Sequence, residues 1–445
     1  MHYPPHRLTI QAYRAGAWED AMALDFTLPK VGFAGPTNYS YLPGYVISHA
    51  NHLYSPLDCA VSARLPLGFD LWFEQSAPAF LLDIVPSGAA GKFLARRLLH
   101  ENTQGLDRDL FLLGRCGLAP VGNLRVKEAL GYLEGVPVVG FTRDEVIARE
   151  AGFLEYAYEQ GAAIGGATGA GGEAPKLLLV EDQAGRIFPD AVLPDHNVAR
   201  HWFVKFARNQ GLQRDLDVLT SEFCYYRAAH AIGLDTVPVE GLALEAGAKP
   251  SLWMQRFDRA VTDAGIERTA VESIYSLAGI IEPGAYMEHT EVIRCLVELW
   301  QSVGQADQVD DLIAEYLMRD LLNQILGNSD NHCRNMSILR TPAGVKLAPI
   351  YDLAPMVMDS EGVTRSTKWA APIEHLGQVD WLQACRALAD WTNPGDQFER
   401  LKANAQRFLA LPDLLSGFGV PEVTLNHPMI ALRNLPQWLS ARGLN

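Results

Sequence analysis

The hydrophobic pattern of this chain changes part-way along its length, and that change constrains the fold more than any other sequence feature. Up to about residue 257, apolar residues fall in short, turn-bounded runs that are typical of strands, such as Leu8–Tyr13, Cys59–Leu65 and His201–Phe206. From about residue 290 they recur with the period of amphipathic helices. We expect these helices at 291–303, 309–326, 379–390, 397–409 and 427–441. A β-rich first part followed by a helical second part predicts an α+β fold with two lobes.

Length and composition narrow the class of protein. The 445 residues are 48% hydrophobic and 20% charged, which is ordinary for a globular protein. No stretch approaches the ~20 apolar residues of a membrane span, and residues 1–7 are not followed by the apolar run of a signal peptide. We therefore expect a cytoplasmic protein without a membrane partner. The six cysteines are far apart and form no C-x-x-C pair, which predicts reduced thiols. A net charge of -15 argues against direct contact with nucleic acid, so DNA binding would need a basic partner.

Three polar residues close to the start of the helical part have the spacing of a phosphoryl-transfer site. Asp330 stands five residues before Asn335, and Asp352 follows about twenty residues later at the end of an apolar run. In protein kinases this spacing gives a catalytic base and two ligands of Mg²⁺. Mg²⁺ prefers oxygen ligands and keeps several waters, so an amide, a carboxylate and nucleotide phosphates suffice. The competing interpretation is a polar loop whose Asp and Asn side chains make turns or caps.

His332 lies two residues after the proposed base. It could orient or polarise Asp330 or contact the transferred phosphate, and it could equally be a hydrogen-bonded structural residue. We include His332 with Asp330 as a candidate catalytic residue.

Residues expected to hold a nucleotide come earlier in the chain. A glycine-rich segment at 165–172, which includes Gly171 and Gly172, contains five glycines in eight residues, so its backbone could approach phosphates closely. It lacks the Gly-Lys-Ser/Thr of a P-loop. Lys205 lies in a strand otherwise built of apolar residues, where a buried ammonium needs an anion such as a phosphate, unless the side chain reaches solvent. The connecting strand at Trp253–Arg259 could pair its backbone with an adenine edge, and Asp258 could accept hydrogen bonds from ribose. The competing interpretation is an ordinary strand that ends in a charged turn.

These motifs together resemble the HipA family of bacterial serine/threonine kinases, the toxins of type II toxin–antitoxin modules. The specific parts are Gly327–Asn335, Leu347–Asp352, Gln255–Arg259 and the loop Gly171–Lys176. The segments Ser62–Leu67 and Asp83–Gly88 are similar to the accessory subdomain of that family. The Gly-Gly-Glu loop and the length are most similar to the HipH (YjjJ-like) branch.

The resemblance implies a bilobal, protein-kinase-like (HipA-like) fold in three parts. Residues 1–145 would be the N-terminal accessory subdomain, residues 146–257 the β-rich lobe that binds ATP through its glycine-rich loop, and residues 258–445 the helical catalytic lobe. It also implies a residue assignment. The catalytic residues would be Asp330 and His332, the magnesium ligands Asn335 and Asp352, and the nucleotide-binding residues Gly171, Gly172, Lys176, Lys205, Gln255, Phe257 and Asp258.

The expected activity is transfer of the γ-phosphate of ATP, with Mg²⁺, to a serine or threonine hydroxyl of a protein. Family members with known targets phosphorylate aminoacyl-tRNA synthetases and are restrained by a helix-turn-helix antitoxin, so both are candidate partners. Several members autophosphorylate a serine in the glycine-rich loop, where this chain offers only Thr168. Two alternatives remain open at this stage. One is a metal-dependent hydrolase or nuclease built on Asp330, His332 and Asp352, and the other is a catalytically idle nucleotide-binding regulator in a DNA-bound complex.

Overall fold

The computed structural model describes residues 6–102, 104–149, 153, 157, 176–207, 211–247 and 250–445. The chain divides into two compact units, each made of several chain segments. Unit 1 comprises Met1–Arg208, Glu240–Pro283 and Ser337–Lys346, and unit 2 comprises Asn209–Val239, Gly284–Met336 and Leu347–Asn445. Sheets and helices both contribute, which confirms the predicted α+β class. The three-part organisation with boundaries after residues 145 and 257 stays a prediction.

Unit 1 contains the larger sheets. The first has five antiparallel strands in the spatial order Leu71–Glu74, Thr37–Tyr41, Ala17–Phe26, Arg7–Arg14 and Leu124–Val126. The second has the order Ile187–Pro189, Lys176–Asp182, Val198–Phe206, Ser251–Gln255 and Ala243–Glu245. Smaller pairings join Arg259–Thr262 with Gly265–Arg268, and Ala270–Ser273 with Ser337–Thr341 and Gly344–Leu347. Buried apolar side chains from the first two sheets belong to one continuous core.

Short helices complete unit 1. The described helices are Pro43–Ser48, Leu81–Ile84, Gly88–Leu98, Arg108–Cys116, Arg143–Ala148 and Ile274–Ala278. Three of them begin at side-chain caps, one of them Ile274–Ala278, where the Ser273 hydroxyl accepts the backbone N–H of Ser276. The Asp107 carboxylate accepts the backbone N–H groups of Asp109 and Leu110, and Thr142 forms a capping box with Glu145. These caps satisfy N–H groups that have no partner within the helix.

The predicted strand at Cys59–Leu65 is wrong, because a buried guanidinium holds this segment in a turn. A single bridge, Ser62 to Leu65, is its only strand-like pairing among the described residues. Arg340 donates from Nη1 to the carbonyl oxygens of Leu57 and Ala60, at 2.7 and 2.8 Å, and from Nη2 to that of Val61 at 3.1 Å. Its Nε lies 3.2 Å from Oε2 of Glu272, and both side chains are almost fully buried. Carbonyl groups that would pair in a sheet are thus taken by one side chain.

Unit 2 is mainly helical. Its helices are Gln213–Ala231, His289–Ser302, Val309–Ile325, Trp381–Arg386, Pro394–Phe408, Leu411–Gly417, Glu422–Leu425 and Leu435–Ser440. Its short strands pair Met287–Glu288 with Thr367–Lys368, and Glu374–His375 with Gln378–Val379. The helix Gln213–Ala231 is followed by Gly233 at φ +79°, the left-handed geometry expected there.

The helical predictions at 291–303, 309–326 and 397–409 are confirmed to within a few residues. The prediction for 427–441 is wrong in extent, because only a 3₁₀ turn at Ala431–Asn434 and the helix Leu435–Ser440 form there. Pro428 and Pro436 lack the N–H that a continuous helix needs. An isolated bridge pairs Thr236 with Ile350 in parallel.

Two broad expectations can also be compared with the fold. None of the helices described by the structure is long and apolar enough to cross a membrane. All six cysteines are buried free thiols, as their spacing predicted.

Candidate functional site

The predicted catalytic loop begins where the long helix Val309–Ile325 of unit 2 ends. Gly327 has φ +68°, and a Cβ at this position would come within 2.7 Å of a Val357 methyl group, so only glycine fits. The next residue, Asn328, is buried and donates from Nδ2 to Asn323 Oδ1 at 2.9 Å and to the Asp352 carbonyl oxygen at 3.2 Å. Asn328 therefore joins the loop that carries Asp330 to the chain at Asp352.

Asp330 and Asn335 are held within this loop by short local hydrogen bonds. The Asn335 amide donates from Nδ2 to the Asp330 carbonyl oxygen at 2.9 Å, and the Asn335 N–H donates to the His332 carbonyl oxygen at 2.8 Å. Because the Asn335 amide nitrogen makes this bond, its Oδ1 is the atom left to face a cation. The Asp330 side chain is 11% exposed, which is low for a carboxylate.

His332 lies beside the Asp330 carboxylate. Its Nδ1 accepts the backbone N–H of Arg334 at 3.3 Å, and its Nε2 is 3.6 Å from Asp330 Oδ1. Burial lowers the pKa of His332 and outweighs the opposing effect of Asp330 and Asp352, so the ring is neutral near pH 7. With Nδ1 accepting, the proton is on Nε2 and faces Asp330. This arrangement suits a residue that orients the carboxylate rather than one that removes a proton itself.

Asp352 has an unusual backbone conformation. It is half-buried and adopts φ +54°, in the left-handed region that non-glycine residues rarely occupy. The neighbouring residues are fixed on both sides. The Tyr351 hydroxyl donates to the Arg334 carbonyl oxygen at 2.9 Å, and the Leu353 N–H donates to the Tyr226 hydroxyl at 3.3 Å. Such strain persists where surrounding contacts hold it, and it is common at functional sites.

The donor set of unit 2 fits Mg²⁺ only with help from a ligand. Among the described residues, no group of three or more His, Cys, Asp or Glu side chains could hold a metal ion. Asn335 and Asp352 offer one amide and one carboxylate, so the other oxygens would come from phosphate and water. That is the usual composition of a magnesium–nucleotide site.

Two lysines face each other in the second sheet of unit 1. Lys176 and Lys205 are direct cross-strand partners in the pairing of Lys176–Asp182 with Val198–Phe206. Partners in this register lie on the same face of the sheet, about 5 Å apart at Cβ. Lys205 is 6% exposed and Lys176 is half-buried. The register therefore puts a second lysine beside Lys205, the residue for which a phosphate contact is predicted.

The predicted adenine-binding segment lies at the end of a neighbouring strand of the same sheet. Gln255 is the last residue of Ser251–Gln255, and pairing with Ala243–Glu245 reaches only Trp253. The Arg256 N–H donates in the direction of Val198–Phe206, to the His201 carbonyl oxygen at 3.1 Å. Since backbone groups alternate along a strand, those of Gln255 point to the other side, and Phe257 lies beyond the strand in a turn.

Asp258 lies in a different environment from the one its predicted role requires. It is 2% exposed, and its Oδ2 accepts from Arg256 Nη2 and Arg259 Nη1, both at 2.6 Å, and from the Gly122 N–H at 2.7 Å. Burial opposes ionisation, but Arg256 and Arg259 outweigh it and lower the pKa of Asp258 to about 2. A carboxylate so fully engaged inside unit 1 does not favour the predicted ribose contact, and we leave Asp258 out of the nucleotide site proposed below.

Comparison with known proteins places these residues in a family. A family model for the HipA-like C-terminal domain matches residues 168–409, more than half of the chain. The chain belongs to the HipA family. The Sinorhizobium fredii protein named "Putative kinase Y4mE" is 33% identical over 133 residues, which cover 29% of this chain and 31% of that protein. This chain therefore spans about a third of the length of that relative.

One solved structure supports the HipA-like fold. A chain of the Shewanella oneidensis MR-1 complex of HipA, HipB and operator DNA superposes with a TM-score of 0.63 and 16% identity, covering 98% of this chain and 96% of that chain. The Helicobacter pylori proinflammatory kinase CtkA gives a TM-score of 0.31 at 13% identity, over 58% of this chain and 97% of that one, too low to show a shared fold. The likeness to the HipH branch stays a prediction.

The HipA match covers every predicted site residue, but the structure does not describe all of them. Gly171, Gly172 and Thr168 lie outside the described residues. The strand register that sets Lys176 opposite Lys205 was not predicted. Gly327 and Asn328 were also missed as organisers of the loop, although a Gly-Asn pair directly after a long helix is a usable signal for a left-handed helix end.

Proposed function

We propose that this HipA-family chain is an ATP- and Mg²⁺-dependent protein serine/threonine kinase of toxin type. The observation that carries the proposal is the local organisation of Asp330, Asn335 and Asp352 in unit 2. Asn335 is hydrogen-bonded to the backbone of Asp330, and Asn328 joins their loop to the backbone of Asp352. Family membership and the kinase name of the Sinorhizobium relative support the same activity.

Each residue receives one role in the reaction. Asp330 accepts the proton of a substrate serine or threonine hydroxyl while the hydroxyl oxygen forms a bond to the γ-phosphorus of ATP. The bond from that phosphorus to the bridging oxygen breaks, and ADP leaves. General-base assistance of this kind is worth about 10²–10⁴-fold in rate. His332 keeps the Asp330 carboxylate oriented, as a positioning residue.

The nucleotide is assigned to the residues predicted for it, except Asp258. Lys176 and Lys205 neutralise phosphate charge, and the backbone of Gln255 and Phe257 binds adenine, with Gly171 and Gly172 assigned to the phosphates from the sequence alone. Asn335 and Asp352 hold Mg²⁺, which when bound neutralises charge on the phosphates. Positioning and charge neutralisation account for most of the acceleration in this class of reaction.

The proposed partners follow the family. The substrate is a protein, with an aminoacyl-tRNA synthetase as first candidate, and the Shewanella complex with HipB and operator DNA suggests an antitoxin for this chain too. The net charge of -15 suits a protein that reaches DNA only through such a partner. We place this activity in the cytoplasm.

Purified protein incubated with γ-³²P-ATP and a lysate of a related bacterium tests the activity. We expect label on protein that depends on Mg²⁺ and disappears in Asp330→Ala, while binding of a fluorescent ATP analogue is retained. Phosphoproteomics after expression of wild type and the same variant would then identify the target. Nucleic-acid cleavage that persists in Lys205→Ala would instead favour a metal-dependent hydrolase. ATP binding without transfer under any condition would favour an idle regulator.

A further inference from the structure

A buried carboxylate in unit 2 has no part in the proposed chemistry and still makes specific polar contacts. Asp320 lies on the helix Val309–Ile325 and is 2% exposed. Its Oδ2 accepts a hydrogen bond from the Trp369 indole Nε1 at 2.9 Å and lies 3.5 Å from His289 Nε2, while its Oδ1 is 3.9 Å from an Arg365 guanidinium nitrogen. Burying a carboxylate is costly, so its retention needs an explanation.

The contacts of Asp320 converge on one segment of chain, residues 365–374, which follows Asp352. Arg365 donates to the Glu374 carboxylate, and the Trp369 N–H donates to Glu374 Oε2 at 3.1 Å. The Trp369 ring stacks on His289 with ring centres 4.9 Å apart and planes at 30°. Glu374 thus joins both Arg365 and Trp369 within the segment, and Trp369 attaches the segment to the helices of Asp320 and His289.

His289 completes the attachment on the second helix, His289–Ser302. Its Nδ1 is 2.7 Å from the Tyr316 hydroxyl, which belongs to the same helix as Asp320. Burial lowers the pKa of His289 more than Asp320 raises it, so the ring is neutral near pH 7. The charged groups that remain around the indole are Asp320, Arg365 and Glu374.

The same segment touches the proposed catalytic loop. The Thr367 hydroxyl oxygen is 3.3 Å from the Cys333 sulfur, and Cys333 is the residue between His332 and Arg334. Thr367–Lys368 also pairs in parallel with Met287–Glu288, directly before the helix that carries His289. A continuous set of contacts therefore runs from Asp320 through Trp369 and Thr367 to the loop of Asp330.

We infer that Asp320 is a positioning residue for phosphate transfer. It anchors the segment 365–374 through the Trp369 indole, and the anchored segment fixes the loop of Asp330 through the contact of Thr367 with Cys333. This inference rests on the proposed kinase function. In the part of the chain that the structure describes, Asp320 contacts Trp369, His289 and Arg365, and none of these is assigned to the nucleotide. Loss of the anchor should therefore lower the rate of transfer and leave ATP binding unchanged. A displacement of about 1 Å in such a site costs on the order of 10²-fold in rate.

The test compares a variant that removes the indole N–H with one that removes the carboxylate. Trp369→Phe keeps the ring over His289 and removes only the indole N–H, and Asp320→Ala removes its acceptor. Asp311→Ala is the matched control, because Asp311 is the same residue type on the same helix but is 77% exposed and pairs with Arg400 at the surface. Hydrogen exchange of peptides covering 365–375 measures the anchor, ADP formation from ATP measures transfer, and a fluorescent ATP analogue measures binding.

We expect Trp369→Phe and Asp320→Ala each to speed exchange in 365–375 and to lower the rate of ADP formation about 10- to 100-fold, with ATP affinity within about twofold of wild type. The double variant should be no slower than Asp320→Ala alone, because both changes break the same contact. Asp320→Asn, whose amide oxygen still accepts the indole N–H, should recover part of the rate.

Other outcomes overturn the inference in distinguishable ways. Unchanged exchange in 365–375 would show that Asp320 does not anchor the segment, whatever the enzyme does. Faster exchange with an unchanged rate would leave an anchor without a role in transfer. Absence of ADP formation in the wild type would overturn the kinase proposal and the positioning role with it, while the exchange data would still report the contact.

Discussion

Substitution of Asp352 by alanine and by glycine separates two requirements of the site, the left-handed backbone conformation and the carboxylate. An L-residue in the left-handed region costs about 1–2 kcal/mol, less for Asp than for Ala because its short polar side chain tolerates this geometry. At φ +54°, the left-handed conformation destabilises folded Asp352→Ala by this full amount and does not destabilise folded Asp352→Gly. Glycine lowers the free energy of unfolding by about 0.5–1 kcal/mol, because it gives the unfolded chain greater conformational freedom. The glycine variant should therefore be about 1 kcal/mol more stable than the alanine variant.

Both variants remove the same carboxylate, so every contact of that carboxylate is lost equally in each. Differential scanning calorimetry should show Asp352→Gly melting about 2–4 °C above Asp352→Ala, as expected for a domain of about 200 residues. ADP formation at saturating Mg²⁺ should be abolished in both to the same extent, because neither can hold the cation at this position. The reasoning is refuted if the two variants melt together, or if the glycine variant keeps magnesium-dependent transfer.

Three further predictions use other parts of the molecule. Lys205→Met should weaken ATP binding about 10- to 100-fold in titrations with a fluorescent analogue, because it removes a charged phosphate contact; unchanged affinity would remove Lys205 from the nucleotide site. Glu272→Ala should lower the free energy of unfolding, measured in urea, by about 3–5 kcal/mol, because it leaves the Arg340 guanidinium buried without its carboxylate. A decrease of less than about 1 kcal/mol would contradict this. Burial lowers the pKa of His332, so the unfolded chain binds a proton before the folded chain does as the pH falls below about 6.5. The urea midpoint should therefore fall between pH 7.5 and pH 5.5, and it should fall less in His332→Gln. An equal fall of the midpoint in the two proteins would argue against a depressed pKa.

The catalytic loop could be predicted from sequence because its geometry is local. Asp330, His332 and Asn335 lie within six consecutive residues, and most of the bonds that fix them come from the same segment. The helix before the loop has a strong apolar period, and glycine at 327 marks its end. The α+β class followed from the same kind of information, since the change from strand-like to helix-like periodicity is visible without any long-range contact.

The features that sequence reasoning missed depend on partners far away in the chain. Arg340 turns the segment at Cys59–Leu65 away from a sheet across about 280 positions. The register that opposes Lys176 and Lys205 is set by the pairing of whole strands and cannot be read from either strand alone. Asp258 was assigned to ribose from the connecting strand before it and from the family resemblance, whereas the structure shows Arg256, Arg259 and the Gly122 N–H hydrogen-bonded to its carboxylate.

One error was avoidable from the sequence. The helix predicted at 427–441 contains Pro428 and Pro436, whose missing N–H groups confine the helix to Leu435–Ser440, with Pro436 in its first turn. The two prolines therefore override the apolar periodicity of residues 427–441.

The central claim is that Asp330 serves as the base for transfer of the terminal phosphate of ATP to a protein hydroxyl. The most direct measurement compares γ-³²P-ATP with α-³²P-ATP in parallel reactions of wild type and Asp330→Asn, which keeps the size and hydrogen-bonding shape of the side chain but not its basicity. The account predicts magnesium-dependent protein label from the γ-labelled nucleotide only, reduced at least about 100-fold in the variant. Label from the α-position, or undiminished γ-label in Asp330→Asn, would contradict it.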